Sequence, residues 1–464
     1  MHGETTDLLD VPHASRWSMS SPAFSEGIAP KPCRPLRVLS QRANSSAPPR
    51  PAGRSNVSPA VPHDAAATSE ERQSPVGLTA AVLSAKLARR ARACACGART
   101  FAGASIVLLS VASCGSQGEI GFLPQSAPAG TVETVIVSTA RQPVNTLPLY
   151  TASRATQPNF ARFEISVPPQ RTFGTVTYPD PGAPDPATDF LIVSAARLPG
   201  ESSFVGAINQ AIAADPASGG RASLFIHGFN TNFAESLYRQ VQVQHDLARR
   251  GTWILFSWPS AARTRAYLAD RESALFSRDA LETTIAALGR SEATSFNLVA
   301  HSMGALLLMD TLRLMARVEH DRVFDKLGAV VLISPDIEID VFRKQAEPLL
   351  ARGVPIYILV SRRDRALRLS ALIRGEQSRL GSIRSQADLG ALDVSVIDLS
   401  SVRTGDWMGH FKIGTSPELI EFVRSLDATG IGIFDAGKGP GVIGGSATIL
   451  QTGAGLILEP LTGR

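Results

Sequence analysis

The segment Ser295-Phe-Asn-Leu-Val-Ala-His-Ser302-Met-Gly-Ala-Leu-Leu-Leu-Met309 runs an apolar strand pattern straight into an apolar helix pattern through a tight turn at Ser302. Ala300 and Gly304 flank the serine two positions away on either side, where a sharp backbone bend leaves no room for large side chains. Such a strand–turn–helix lifts the hydroxyl clear of a sheet and aims a helix N-terminus at the reacting group. The chemistry it predicts is nucleophilic: the Ser302 hydroxyl attacks a carbonyl carbon once a base removes its proton. A serine that only caps a helix is the plain alternative.

That attack needs oxyanion donors, a base and an acid. Leu224-Phe-Ile-His227-Gly228-Phe229-Asn230 is again a strand entering a loop, two predicted strands before the elbow. Gly228 lets the backbone turn an N–H toward a substrate, so Phe229 and Met303 are predicted to supply the oxyanion donors. One such donor is worth roughly 10²–10³ in rate. His227 is read as a brace for this loop. Of the eight histidines, only His410 lies beyond the last predicted strand; His2, His13 and His63 are in the leader, and His227, His245, His301 and His320 precede it. With the chain order Ser, acid, His, the base is therefore His410. The acid is open between three residues. Asp364 follows the apolar run Ile356–Val360 and is the first choice; Asp336 follows the preceding run; Asp406 is close to His410 in sequence. Arg362, Arg363 and Arg365 make an ion-pair role the plain alternative for Asp364. In the resulting triad, His410 takes the Ser302 proton, Asp364 fixes its tautomer, and an acyl-enzyme forms before water releases it. No metal or organic cofactor is called for, since the sequence has no Walker loop, no H-E-x-x-H and no dinucleotide fingerprint.

These residues sit on a regular frame. Short continuous apolar runs at Ala222–Ile226, Trp253–Ser257, Phe296–Ala300, Ala329–Ile333, Ile356–Val360 and Val394–Ile397 suit parallel strands buried on both faces. Helical patterns lie between or after them at 232–250, 278–291, 303–319, 338–351 and 416–427. The alternation predicts an α/β fold, a doubly wound, mostly parallel sheet with helices on both faces. Upstream, strands are predicted at Val132–Ser138, Phe160–Val167 and Phe190–Ser194, a loop at 168–189 and a helix at Ser203–Ala214.

Together, Val135-Ile-Val-Ser-Thr-Ala-Arg141, Phe163-Glu-Ile-Ser-Val-Pro168, His227-Gly-Phe-Asn230, Phe256-Ser-Trp-Pro259, Ala300-His-Ser-Met-Gly304, Ser334-Pro-Asp336 and Ser361–Leu367 resemble a bacterial α/β-hydrolase family of uncharacterised function, lipase- or esterase-like. The resemblance covers about residues 130–427 and implies that fold, with the triad at Ser302, Asp364 and His410. It implies little about substrate, because fold alone does not give function.

The chain ends differ in character. Thirteen of the 46 Lys+Arg and seven of the 41 Asp+Glu fall in residues 1–113, leaving 33 and 34 for the rest. The basic excess belongs to the leader, which removes the electrostatic case for nucleic-acid binding. Residues 1–84 lack apolar periodicity and read as a disordered leader or the result of a misassigned start. Residues 85–113 place a basic stretch before the apolar Phe101–Ser113, the layout of a secretory signal. Val111-Ala-Ser-Cys114 then resembles a lipobox, predicting lipidation at Cys114 and a membrane-anchored protein of the bacterial envelope. Cys33, Cys94, Cys96 and Cys114 all lie outside the predicted catalytic domain, so no disulfide framework is expected there. Residues 114–130 read as a tether, 131–427 as the hydrolase domain and 428–464 as a Gly-rich tail without assigned function. The expected activity is that of a serine esterase or acylhydrolase on a small-molecule or lipid ester. An inactive hydrolase-fold binding protein and an acyltransferase using the same triad are the alternatives.

Overall fold

The computed structural model describes residues 118–428 and 447–460, except 128–129, 249, 319, 375–378, 384–385, 403–408 and 453–454. Cys114, the signal-like stretch and Asp406 lie outside the described residues. The chain opens with an antiparallel meander, β1 (Thr131–Pro143), β2 (Tyr150–Val167) and β3 (Leu191–Leu198). Alternation then begins: α1 (Glu201–Ala214), β4 (Arg221–Ile226), α2 (Phe233–Leu247), β5 (Thr252–Ser257), α3 (Tyr267–Phe276), α4 (Arg278–Arg290) and β6 (Ser295–His301). It continues with α5 (Met303–Met315), α6 (Asp321–Lys326), β7 (Leu327–Ile333), α7 (Ile339–Leu350), β8 (Ile356–Val360), α8 (Arg365–Arg374) and β9 (Ser395–Asp398). Two helices follow, α9 (Lys412–Thr415) and α10 (Pro417–Ala428), then the hairpin β10 (Ala447–Thr452) and β11 (Gly455–Pro460).

The strands form one sheet of eleven in the order β11-β10-β9-β8-β7-β6-β4-β5-β1-β2-β3. From β10 to β1 every neighbouring pair is parallel. The chain leaves β4 toward β5 on one side and returns to β6 on the other, so the strand order reverses at β4. Open α/β sheets place their ligand crevice at the carboxyl ends of the strands at such a reversal. The loop containing His227 and the turn containing Ser302 both occupy that position.

Packing explains which segments hold. Phe296, Leu298 and Ala300 project from β6 into a core shared with Ile226, Val330, Ile358 and Leu307. Helix α5 is buried along nearly its whole length, with Met303 to Met309 all inaccessible or nearly so. Such a central helix can carry apolar residues on every side. Helix α2 starts with a reciprocal cap: the Asn232 side chain accepts from the Glu235 N–H (2.8 Å), and Glu235 accepts from the Asn232 N–H (2.7 Å). Caps of this kind are worth about 1 kcal/mol, and here the cap also fixes the end of the His227 loop.

Several boundaries differ from expectation. The helix expected over 303–319 ends at Met315, and a separate short α6 follows. Helix α3 had no clear signature because its Leu268 and Phe276 face solvent, which blurs the apolar period. The expected tether is docked from residue 118: Gly118 accepts from Asn232 Nδ2 (2.8 Å), Ile120 is buried and Phe122 bridges to Ile192. Residues 447–460, expected within a featureless tail, extend the sheet as β10 and β11. Their short apolar runs, Thr448-Ile-Leu and Leu456-Ile-Leu, are obscured by the surrounding glycines.

Candidate active site

Ser302 stands between β6 and α5 with φ 54° and ψ −120°. A non-glycine residue in that region costs on the order of 1–3 kcal/mol, which surrounding contacts must offset. Here the Ser302 N–H donates to Ile333 (2.9 Å), and its carbonyl accepts from Ala305 (3.0 Å) and Asp336 (3.2 Å). The bend brings Gly304 against the β4 backbone, where an added Cβ would lie 2.3 Å from the His227 carbonyl oxygen. Gly228 faces the elbow from the other side, 2.6 Å from His301 Nδ1 and 3.0 Å from Ser302 Cβ by the same construction. Both glycines are required by this close approach. Met303, as the first helical residue, has an N–H without an intrahelical acceptor. Phe229 lines the cavity onto which Ser302 opens.

His410 follows Gly409, which has φ 63°, and its Nδ1 lies 2.6 Å from Asp364 Oδ2. Asp364 is fully buried, and its other oxygen accepts from the Leu367 N–H (3.0 Å), capping α8. One carboxylate thus anchors a helix and orients an imidazole. Arg362, offered as an ion-pair partner for Asp364, pairs instead with Asp398 (3.1 Å). Ser302, His410 and Phe229 border one cavity of about 210 Å³. Among the described residues the Ser302 Oγ makes no hydrogen bond. A separate cleft of about 300 Å³, at the start of β1 and β5 beside Glu133 and Trp253, contains none of the expected site residues.

Residues 203–426 match the profile of a family described as "Alpha/beta hydrolase of unknown function (DUF900)". The chain carries an α/β-hydrolase fold. A solved structure from a study of two fungal esterases from Rhizomucor miehei is similar at 11% identity and a TM-score of 0.26, covering 65% of this chain and 84% of that one. No curated protein matches the chain.

The other expected residues of this hydrolase fold are placed as follows. His227 is walled in, with Nδ1 2.9 Å from the Gly228 carbonyl, Nε2 3.1 Å from the Trp258 carbonyl and its ring stacked on Trp258. The Trp258 indole N–H donates to the His227 carbonyl (2.8 Å). Burial, with the nearby Arg141 charge, pushes His227 down to about 3, so it stays neutral. Asp336, the rival acid, borders the same cavity, but its carboxylate accepts from Tyr267 Oη (2.6 Å) and Ser370 Oγ (2.8 Å), with Arg379 Nε at 3.4 Å. The His410 Nδ1 bond goes to Asp364. Among the described residues no cluster of three or more His, Cys, Asp or Glu side chains is placed to hold a metal.

Three supporting groups escaped the sequence reading. His301, next to the nucleophile, lies with Nε2 3.3 Å from the His410 carbonyl and its ring 4.6 Å from the His410 ring. Burial, then the neighbouring His410, holds His301 well below the usual histidine range, so a neutral ring donates Nε2–H to that carbonyl. Arg141, at the end of β1, is fully buried and donates to Ser257 Oγ (3.0 Å), the Ser260 carbonyl (3.2 Å) and the Thr231 carbonyl (2.8 Å). Burial lowers it to about 9, against the attraction of Asp270 and Glu235. Asp270 completes the brace, accepting from Ser260 Oγ (2.5 Å) and from the Ala261 (2.7 Å) and Asn230 N–H groups. Arg141 had one legible signal, a charge ending the apolar run Val135-Ile-Val. Asp270 had none, because its partners Ser260, Ala261 and Asn230 belong to loops without a readable period.

Proposed function

We propose that the domain is a serine hydrolase acting on carboxylic esters. The observation that carries this reading is the Asp364–His410 hydrogen bond of 2.6 Å bordering the same cavity as a serine held at φ 54°. With Nδ1–H donated to Asp364, the His410 Nε2 is left as a proton acceptor. Ser302 Oγ adds to the ester carbonyl as its proton passes to Nε2, and the N–H groups of Phe229 and Met303 receive the oxyanion. Collapse expels the alcohol, which takes the proton from His410, leaving an acyl-Ser302. Water, deprotonated by His410, then releases the acid. Substrate-free sites often hold catalytic hydrogen bonds loosely, so the Ser302–His410 contact is expected to close as substrate fills the cavity. A fluorophosphonate probe should label the protein and spare Ser302→Ala. Wild-type protein that resists labelling and leaves every p-nitrophenyl ester of graded chain length intact would refute the proposal.

A second reading, a hydrolase-fold binding protein without turnover, is favoured by the lack of a hydrogen bond on Ser302 Oγ among the described residues. The same labelling decides between them. Transfer of the acyl group to an alcohol or amine would show as non-acid products when competing nucleophiles are present. Anchoring through Cys114 is a separate proposal, supported by the lipobox-like sequence alone. Incorporation of a fatty-acid analogue should be lost in Cys114→Ser.

A further inference from the structure

Tyr267, Ser370 and Asp336 form a polar patch on the cavity bordered by Ser302, whose wall also holds Asn230 and Thr264 and the apolar Phe229, Leu367 and Leu369. Three short contacts close the patch into a triangle. Tyr267 Oη lies 2.6 Å from Asp336 Oδ2, Ser370 Oγ lies 2.8 Å from Asp336 Oδ1, and the two hydroxyl oxygens lie 2.9 Å apart. Each contact needs a hydrogen between its oxygens to be attractive. The phenol and the serine bring one each, and an ionised carboxylate brings none. Arg379, itself almost wholly buried, sets its guanidinium 3.4 Å from Asp336 and 3.5 Å from Glu338. Burial and the Asp336 charge raise Tyr267, so the phenol keeps its hydrogen. Both hydroxyl hydrogens therefore point at the carboxylate, and the Tyr267–Ser370 contact sets lone pair against lone pair. Such a contact relaxes when an outside group delivers a hydrogen to either oxygen.

We infer that Tyr267, Ser370 and Asp336 form a hydroxyl-recognition site, and that the substrate is an ester carrying a hydroxyl group close to its carbonyl. The inference rests on the hydrolase reading of Ser302. A neutral hydroxyl supplies the one hydrogen that the Tyr267–Ser370 contact needs. An ether oxygen in the same place would meet only lone pairs. Proximity to the nucleophile follows from the backbone, because the Asp336 N–H donates to the Ser302 carbonyl at 3.2 Å. The hydroxyl belongs to either the acyl or the alcohol half of the ester, and the test separates the two.

The test compares hydroxyl with methoxyl in matched esters. One arm uses p-nitrophenyl 3-hydroxybutyrate and 3-methoxybutyrate; the other uses 2-hydroxyethyl and 2-methoxyethyl butyrate. In at least one arm, wild-type kcat/KM should favour the hydroxyl ester about tenfold, the usual weight of one neutral hydrogen bond. Asp336→Asn supplies amide hydrogens to the triangle and should cut that ratio to about threefold or less. The ratio is the readout, whatever happens to the absolute rate. Should Asp336→Asn fail to fold, the wild-type ratio decides alone. Ratios near one in both arms, with Ser302-dependent hydrolysis intact, overturn the inference and leave the hydrolase reading standing; so does a preference that Asp336→Asn leaves untouched. Loss of all Ser302-dependent labelling and turnover sinks the hydrolase reading and this inference with it.

Discussion

Adding one methyl group at Gly304 tests how far the site depends on contact between the nucleophile elbow and the oxyanion loop. A Cβ there would lie 2.3 Å from the His227 carbonyl oxygen, 2.9 Å from that of Ile226 and 3.0 Å from Ile226 Cγ2. Real Cβ contacts essentially never fall below 3.0 Å, so the first must open by about 0.7 Å. The obstructing atoms are backbone of β4 and its loop, so no flexible side chain can swing aside. Overpacking of this kind costs about 1–3 kcal/mol, which in a domain of this size lowers Tm by several degrees. The catalytic cost is larger. The same displacement separates the Met303 N–H from the Phe229 N–H, and a misplacement near 1 Å is worth about 10² in rate. Gly304→Ala should therefore lose roughly 10- to 100-fold in kcat/KM and in fluorophosphonate labelling rate at 25 °C, where most of the protein remains folded. Gly206→Ala is the control: it lies inside α1 with nothing within 4 Å of an added Cβ. Helix propensity predicts a gain of about 0.5–1 kcal/mol there, with unchanged labelling. Gly304→Ala protein that labels within twofold of wild type and melts at the same temperature would refute the argument.

Three other outcomes follow from named contacts. Asp364→Asn keeps the shape but leaves one acceptor for two donors, the Leu367 N–H and His410 Nδ1–H, so kcat should fall by about 10³–10⁴; a loss under tenfold would remove Asp364 from the mechanism. Arg141→Met leaves the Thr231 and Ser260 carbonyls and the buried Asp270 without their cation, a loss of roughly 2–5 kcal/mol readable by urea denaturation; an unchanged midpoint would show that the brace is idle. Stability should also fall in acid. His227 is held at about 3 when folded and returns to about 6.5 when unfolded, so the unfolded state binds the extra proton between those values. Stability from this group is complete above pH 6.5 and declines by about 1.4 kcal/mol per unit as pH falls toward 3, with His301 acting in the same direction. A melting temperature that stays flat from pH 7 to pH 4.5 would contradict this.

The legible parts of the molecule were those fixed by local pattern. The run Phe296–Ala300 followed by Ser302 and Gly304 specifies a strand, a bend and a helix within fifteen residues, and the structure has β6, the φ 54° turn and α5 there. Chain order pointed to His410, and the structure sets it against Asp364 rather than Asp336. Local pattern says nothing about pairs that meet only through the sheet. Tyr267 and Asp336 are 69 positions apart and Arg141 and Thr231 are 90, so neither pair leaves a spacing to read. Residues 447–460 failed for the opposite reason: the runs were visible, but glycine on both sides hid that they could close on β9.

Several supports of the site come from outside the span that matches the family profile. The matched span begins at residue 203, after β1, β2 and β3. Arg141, which holds the loop of Phe229 and Asn230, comes from β1. The loop after β2 reaches the other side of the site. Its Arg171 pairs with the buried Asp246 of α2, and its Gly174 N–H donates to the same carboxylate (2.7 Å). Arg239 of α2 then donates to the Gly174 carbonyl (3.1 Å) and to the Gly414 carbonyl (3.4 Å), with its guanidinium over the ring of Phe411, the residue after His410. Gly174 sits so close to Thr415 that an added Cβ would lie 2.7 Å from its carbonyl oxygen. The segment carrying His410 is thus pinned by a loop that precedes the matched span, and the Phe229 loop by a strand that precedes it. In this chain β1 and the loop after β2 brace the Phe229 loop and the segment that follows His410, so under the proposed function residues upstream of 203 support the site.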